Sequence, residues 1–124
     1  MTLQEALNRA LLSLQGDARS ARAEFRFQGD EFFFQGHFPQ GPVLPAVVQV
    51  GAAIELCSRL LQCPQRLVEV TRAKFTNPTG PGRLLQLTLA MDDAADTRTR
   101  VRAALTEGET QISEFALRLE PDTH

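Results

Sequence analysis

The stretch Gly41-Pro42-Val43-Leu44-Pro45-Ala46-Val47-Val48-Gln49-Val50-Gly51-Ala52-Ala53-Ile54 decides how this chain folds. Proline suits the first turn of a helix, because its missing N–H would have no intrahelical partner there. From Ala46 to about Gln62 the residues are apolar on nearly every side, with Leu56, Leu60 and Leu61 continuing the run. Such a pattern predicts a helix that is largely buried. Pro64 stops it.

Immediately upstream lies Phe34-Gln35-Gly36-His37-Phe38-Pro39, which holds the only internal histidine; His124 is the terminal residue. Pro39, Pro42 and Pro45 restrict the backbone, while Gly36 and Gly41 leave it freedom. A tight, rigid turn is expected at Phe38-Pro39, where proline also makes a cis bond accessible. A histidine held in a rigid loop that leads into a buried helix can act as a positioned acid or base near neutral pH.

Working outward, Thr2-Leu3-Gln4-Glu5 has the form of a capping box. Leu3, Leu7, Ala10, Leu11 and Leu14 then share one helical face, so a first helix is predicted to run to Gly16-Asp17. Ala21, Ala23, Phe25 and Phe27 alternate with Arg22, Glu24, Arg26 and Gln28, the period of a half-buried strand. After Gly29-Asp30, Phe32, Phe33 and Phe34 make a short apolar segment entering the histidine loop. Beyond the long helix, strands are predicted at Leu67 to Phe75, Leu84 to Met91, Thr97 to Thr106 and Gln111 to Leu119. Asn77 to Gly82 is a turn-rich connection, Asp92 to Asp96 a loop, and Glu107-Gly108-Glu109 the turn of a hairpin. A buried helix among several antiparallel strands implies an α+β layer arrangement, with a sheet wrapped around the helix.

At 124 residues, one domain spanning 1–124 is expected. Apolar content of 43% and charged content of 23% describe a globular chain. A net charge of −2, with neither tyrosine nor tryptophan, gives no reason to expect nucleic-acid binding. No apolar run is long enough to span a bilayer, so no membrane association is expected. The N-terminus lacks a basic region followed by an apolar core, which makes the cytoplasm the expected location. Cys57 and Cys63 are the only cysteines and would lie on different helix faces, which favours a reduced packing role over a disulfide. No cluster has zinc-ligand spacing, and no metal or other cofactor is expected.

The block Phe33-Phe34-Gln35-Gly36-His37-Phe38-Pro39 through Pro42-Val43-Leu44-Pro45 resembles the hotdog-fold β-hydroxyacyl-ACP dehydratases. Ala73-Lys74-Phe75-Thr76-Asn77-Pro78 with Pro81-Gly82 is similar to the strand and turn after that family's helix, and the order of elements agrees from about Ala21 to Leu119. The run Leu-Pro-Ala-Val-Val-Gln looks closest to a dehydratase-like branch tied to aryl polyene and related lipid pathways, within fatty-acid or polyene-type lipid biosynthesis. The resemblance implies a hotdog fold and a dimer, homomeric or heteromeric with another hotdog chain. It also implies an acyl carrier protein or CoA thioester as partner. Its histidine and a helix carboxylate come from different subunits and remove water from a 3-hydroxyacyl thioester. The amide after Leu-Pro polarises the thioester carbonyl. On this chain the histidine is His37, within a substrate-binding loop of Gly36, Phe38 and Pro39, and the amide is that of Ala46, where the family usually has glycine.

The family's Glu or Asp stands fourteen residues after the histidine, and here that residue is Gly51. Glycine is costly inside a helix, so space for a chain or for a close partner is the expected reason for it. Glu55 lies one turn further along the same face, roughly 5–6 Å away. It is a candidate acid, or simply an ion-pair partner of Arg59. Gln49 can donate a hydrogen bond in the site, or occupy a solvated or interface position. Arg98, Arg100 and Arg102 share one side of a strand, and the resemblance puts Arg72, Lys74 and Arg83 near the tunnel mouth. These bases are either a docking patch for an acidic carrier protein or a solvated sheet face. Four functions follow: a dehydratase-like lyase using His37 and Glu55, an acid-deficient subunit of a heterodimeric dehydratase, a hotdog thioesterase in which a helix carboxylate activates water, and a non-catalytic acyl-binding module.

Overall fold

The structure is a computed structural model that describes residues 1–35, 41–93 and 98–122. The expected turn at Phe38-Pro39, and part of the expected Asp92 to Asp96 loop, lie outside the described residues.

Helix α1, Leu3–Ala10, begins with the capping box read from the sequence. The Glu5 N–H donates to Thr2 Oγ1 at 3.1 Å, and the Thr2 N–H donates to Glu5 Oε1 at 3.3 Å. The helix is shorter than its leucine spacing predicts. Leu11–Gly16 is a strand, β1, antiparallel to β2, Ser20–Phe25. The Ala10 carbonyl accepts the Arg26 N–H at 2.9 Å, and the next residues enter the sheet with Leu11 opposite Phe25. Leu11 and Leu14 still pack against the core, so both conformations satisfy their hydrophobicity and sheet pairing decides between them. At the turn, Gly16 has φ +124°, and a Cβ there would sit 2.2 Å from the Ser20 carbonyl oxygen.

The short apolar segment entering the histidine loop is a 3-10 turn, Phe32–Phe34. Helix α2, Ala46–Leu61, starts at Pro45 and ends at Gln62, whose φ of 56° turns the chain out. Strands β3 (Gln65–Phe75), β4 (Leu85–Asp93), β5 (Thr99–Glu107) and β6 (Thr110–Pro121) complete one antiparallel sheet in the order β1-β2-β4-β5-β6-β3. Gly108 and Glu109 form the two-residue turn between β5 and β6, with φ +58° at Gly108.

The inner face of the sheet carries Phe25, Leu87, Leu105, Phe115 and Leu117, and α2 lies on it through Val48, Ala52, Ala53, Leu56 and Cys57. The helix is less buried than its composition implies. Val47 is 72% exposed, and Val50 and Ile54 are only partly covered. One sheet can cover only one side of a helix. A second apolar surface is half-exposed. Strand β3 lies at the sheet edge with Leu67, Val70 and Phe75 all 40–44% exposed.

Candidate functional site

The histidine loop is framed by two anchored segments. On its upstream side, Glu31 is fully buried beneath the phenylalanine turn. Its carboxylate accepts the N–H groups of Gln28 (3.0 Å) and Gly29 (2.7 Å) and pairs with Arg9 of α1 at 3.2 Å. Arg9 also holds Asp30. Burial alone would push the Glu31 carboxyl up. The backbone N–H donors and the Arg9 guanidinium outweigh it and hold the group below the ordinary glutamate value. Above this anchor, Phe33 packs edge-on against Phe27, with ring centroids 5.6 Å apart, and tilts against Phe34 at 4.9 Å.

That anchor has a pH signature. Because the folded pKa of Glu31 is depressed, its contribution is complete above the unfolded value of 4.5 and is lost as pH falls through the lower folded value. Asp30, lowered by Arg9, and Asp17, lowered by the backbone N–H groups of Arg19 and Ser20, act in the same direction. Glu31→Gln is expected to lower stability at neutral pH and to flatten the acid limb of a urea-unfolding profile taken from pH 6 downward to about pH 3. An acid limb as steep as the wild type's would contradict this role.

On the downstream side, the chain from Gly41 to Pro45 rides over the connection between β3 and β4. The Leu44 N–H donates to the Thr79 carbonyl at 2.7 Å. A Cβ on Gly80 would lie 2.7 Å from the Pro42 carbonyl oxygen, so only glycine permits this approach. Thr79 is buried, and its hydroxyl donates to Glu107 Oε1 at 2.8 Å. Arg83 bonds the other oxygen of Glu107 at 3.2 Å. These contacts fix where α2 begins. Ala46 is exposed in the first turn of α2, where an N–H has no intrahelical acceptor and the helix dipole is positive.

The structure places the remaining site candidates on two different faces of α2. Gly51 and Glu55 line an open groove of about 710 Å³ between α1 and α2, with Leu3, Leu7, Ile54 and Arg59. A Cβ on Gly51 would meet Leu3 Cδ2 at 3.1 Å, so the glycine lets α1 lie close to α2. Glu55 is 22% exposed and engaged: Arg59 Nε and Gln4 Nε2 both approach its Oε1 at 3.4 Å. The ion-pair expectation for Glu55 is therefore met.

Gln49 turns the other way. It is buried rather than at a solvated position; its Nε2 donates to the Leu44 carbonyl at 3.1 Å, and its Oε1 accepts from the Ser113 hydroxyl at 2.5 Å. The polar groups of its side chain are thus engaged within the protein. Gly36, His37, Phe38 and Pro39 lie outside the described residues.

Three participants were not singled out from the sequence. Glu31 carries no burial signal, since it sits in a polar turn. Gly80 sits in a connection where glycine is ordinary. Ser113 did offer a clue: it is in phase with Phe115, Leu117 and Leu119 on the buried face of β6.

The thiols and the bases are quieter. Cys57 and Cys63 are free, and burial pushes the Cys57 thiol up to about 12, which keeps it protonated and unreactive. Arg98 and Arg100 are paired with Glu120 and Asp92, while Arg72, Lys74 and Arg102 have no carboxylate partner among the described residues. Among the described residues no helix is long and apolar enough to cross a membrane.

An antiparallel sheet lying along one long helix, with the segment from Gly41 to Pro45 leading into the helix N-terminus, defines a hotdog-fold protein. The chain belongs to the ApeI-like family, described as ApeI dehydratase, which matches residues 13–115. Among curated relatives, the 3-hydroxyacyl-(acyl-carrier-protein) dehydratase FabZ of Syntrophotalea carbinolica is 39% identical over 71 residues, 50% of this chain and 48% of that protein. FabZ of Novosphingobium aromaticivorans is 34% identical over 94 residues, covering 68% and 56%. The chain thus spans about half the length of the curated relatives it matches. Among solved structures, the dehydratase heterocomplex ApeI:P from Xenorhabdus doucetiae superposes with a TM-score of 0.72 at 24% identity, covering 88% of this chain and 95% of that one. The fluoroacetyl-CoA thioesterase FlK gives 0.68 at 14% identity, covering 86% and 87%. Both likenesses are of fold.

Proposed function

We propose that this chain is the histidine-bearing, acid-deficient member of a hotdog dehydratase assembly acting on 3-hydroxyacyl-ACP, with a second hotdog chain supplying the carboxylate. The observation that carries this reading is Gly51. The position that bears the family's acid has no side chain, a Cβ there would sit tightly against Leu3, and the nearest carboxylate on the helix is tied to Arg59 and Gln4. A heteromeric dehydratase among the fold's relatives makes such a division of labour natural.

In this assembly His37 removes a proton from the carbon next to the thioester carbonyl. The Ala46 N–H, at the positive end of α2, stabilises the charge that develops on the carbonyl oxygen. The partner's carboxylic acid protonates the 3-hydroxyl, and water leaves as the carbon–carbon double bond forms.

The purified chain is expected to be nearly inactive on 3-hydroxyacyl-ACP. Mixing it with an acid-bearing hotdog dehydratase subunit is expected to raise enoyl-thioester formation, and His37→Ala in this chain is expected to remove that gain by about 10²–10⁴-fold. Strong activity of the chain alone that survives Glu55→Gln contradicts the proposal. Inactivity with every acid-bearing partner would favour the acyl-binding alternative.

A further inference from the structure

We propose that Gln49 and Ser113 form a buried relay that sets the Leu44 carbonyl and thereby aims the Ala46 N–H at the substrate carbonyl; this rests on the dehydratase reading above. Leu44 is held from two sides. Its N–H reaches the Thr79 carbonyl at 2.7 Å, and its own carbonyl receives Gln49 Nε2 at 3.1 Å. One residue later the Pro45 carbonyl accepts the N–H groups of Val48 (3.1 Å) and Gln49 (3.2 Å), so the first turn of α2 is closed just behind Ala46. The peptide plane between Leu44 and Pro45 therefore has no freedom to rotate without breaking a buried bond.

The orientation of the Gln49 amide follows from its partners. A carbonyl can only accept, so Nε2 must face Leu44, and Oε1 is left to face β6. Ser113 is fully buried there, and its hydroxyl donates to that oxygen at 2.5 Å. Without Ser113 the Gln49 Oε1 would lose the donor that holds it against β6. Without Gln49 the Leu44 carbonyl would have no donor among the described residues. A hydroxyl placed among Phe115, Leu117 and Leu119 on the inner face of β6 contributes little to packing, which argues that its bond to Gln49 is the reason it is there. Gln49 and Ser113 are positioning residues: both are buried, and both act through the backbone of residues 44–46.

The test follows the Ala46 amide resonance in the full chain by two-dimensional NMR, with and without a 3-hydroxyacyl-N-acetylcysteamine thioester, after thermal melts confirm that each variant folds. In the wild type the thioester is expected to shift the Ala46 resonance. Gln49→Met is expected to abolish that response and weaken thioester binding by about tenfold. Ser113→Ala is expected to reduce both, and Ser113→Thr, which keeps a hydroxyl, to restore them; a purely packing role would not distinguish alanine from threonine in this way. A folded Gln49→Met or Ser113→Ala variant with the wild-type Ala46 response and affinity overturns the relay. If Gln49→Met does not fold, the Ser113 pair alone decides. A wild-type Ala46 resonance that ignores the thioester overturns the dehydratase reading and the relay with it.

Discussion

Gly51→Asp combined with Leu3→Ala is expected to turn the isolated chain into an active dehydratase, raising its rate on 3-hydroxyacyl-ACP by about 10²-fold or more. The size follows from the worth of a positioned general acid. Aspartate is no worse than glycine in a helix, so the substitution does not weaken α2. The second change makes room, because a Cβ at position 51 already lies 3.1 Å from Leu3 Cδ2. Trimming Leu3 opens the groove that Gly51 shares with Leu7, Ile54 and Glu55. The gain should vanish on adding His37→Ala. A double variant that folds, dimerises and shows no gain would mean that this chain's histidine loop does not perform the chemistry, and would favour an acyl-binding role. An equal gain from Leu3→Ala alone would point to Glu55, freed to move along the groove.

The second large effect concerns assembly. Val70→Lys is expected to convert an oligomer into a monomer at micromolar concentration, read by light scattering, with little loss of secondary structure. Strand β3 is eleven residues long, lies at the end of the sheet and bonds only to β6 among the described residues. Leu67, Val70 and Phe75 stand half-exposed along it, and Val47 is bare on the nearby helix. An apolar edge of that length invites another strand, and a lysine on an edge is a common device against such pairing. A two-fold pairing would extend the sheet and cover the strand at once. A wild-type chain that scatters as a monomer, or a Val70→Lys variant with an unchanged mass, would refute this.

These expectations draw on unequal sources. The capping box at Thr2 and Glu5, the extent of α2 and the β5–β6 hairpin were all legible as sequence, because each rests on contacts within a few residues. A cap, a proline boundary and a two-residue turn carry their own signals wherever the rest of the chain lies. The family was legible in the same way, since the block from Phe33 to Pro45 is contiguous, and so was the anomaly at Gly51.

What only the tertiary structure decided depends on partners far apart in the chain. Leu11 and Leu14 satisfy a helix and a strand equally, and pairing with Phe25 and Ala23 selected the strand. The neighbour that Gly51 accommodates is Leu3, 48 positions away, and the oxygen that Gly80 must clear belongs to Pro42. Glu31 is polar in sequence and buried in space, because Arg9 and two backbone N–H groups converge on it. Gln49 has a role only once β6 brings Ser113 against α2. By itself the sequence determined the capping box, the extent of α2, the β5–β6 hairpin, the family and the absence of a helix acid at position 51. Which polar groups are buried, and what each one holds, came from the packing, because a hydrogen bond between distant residues leaves no periodic trace in either of them.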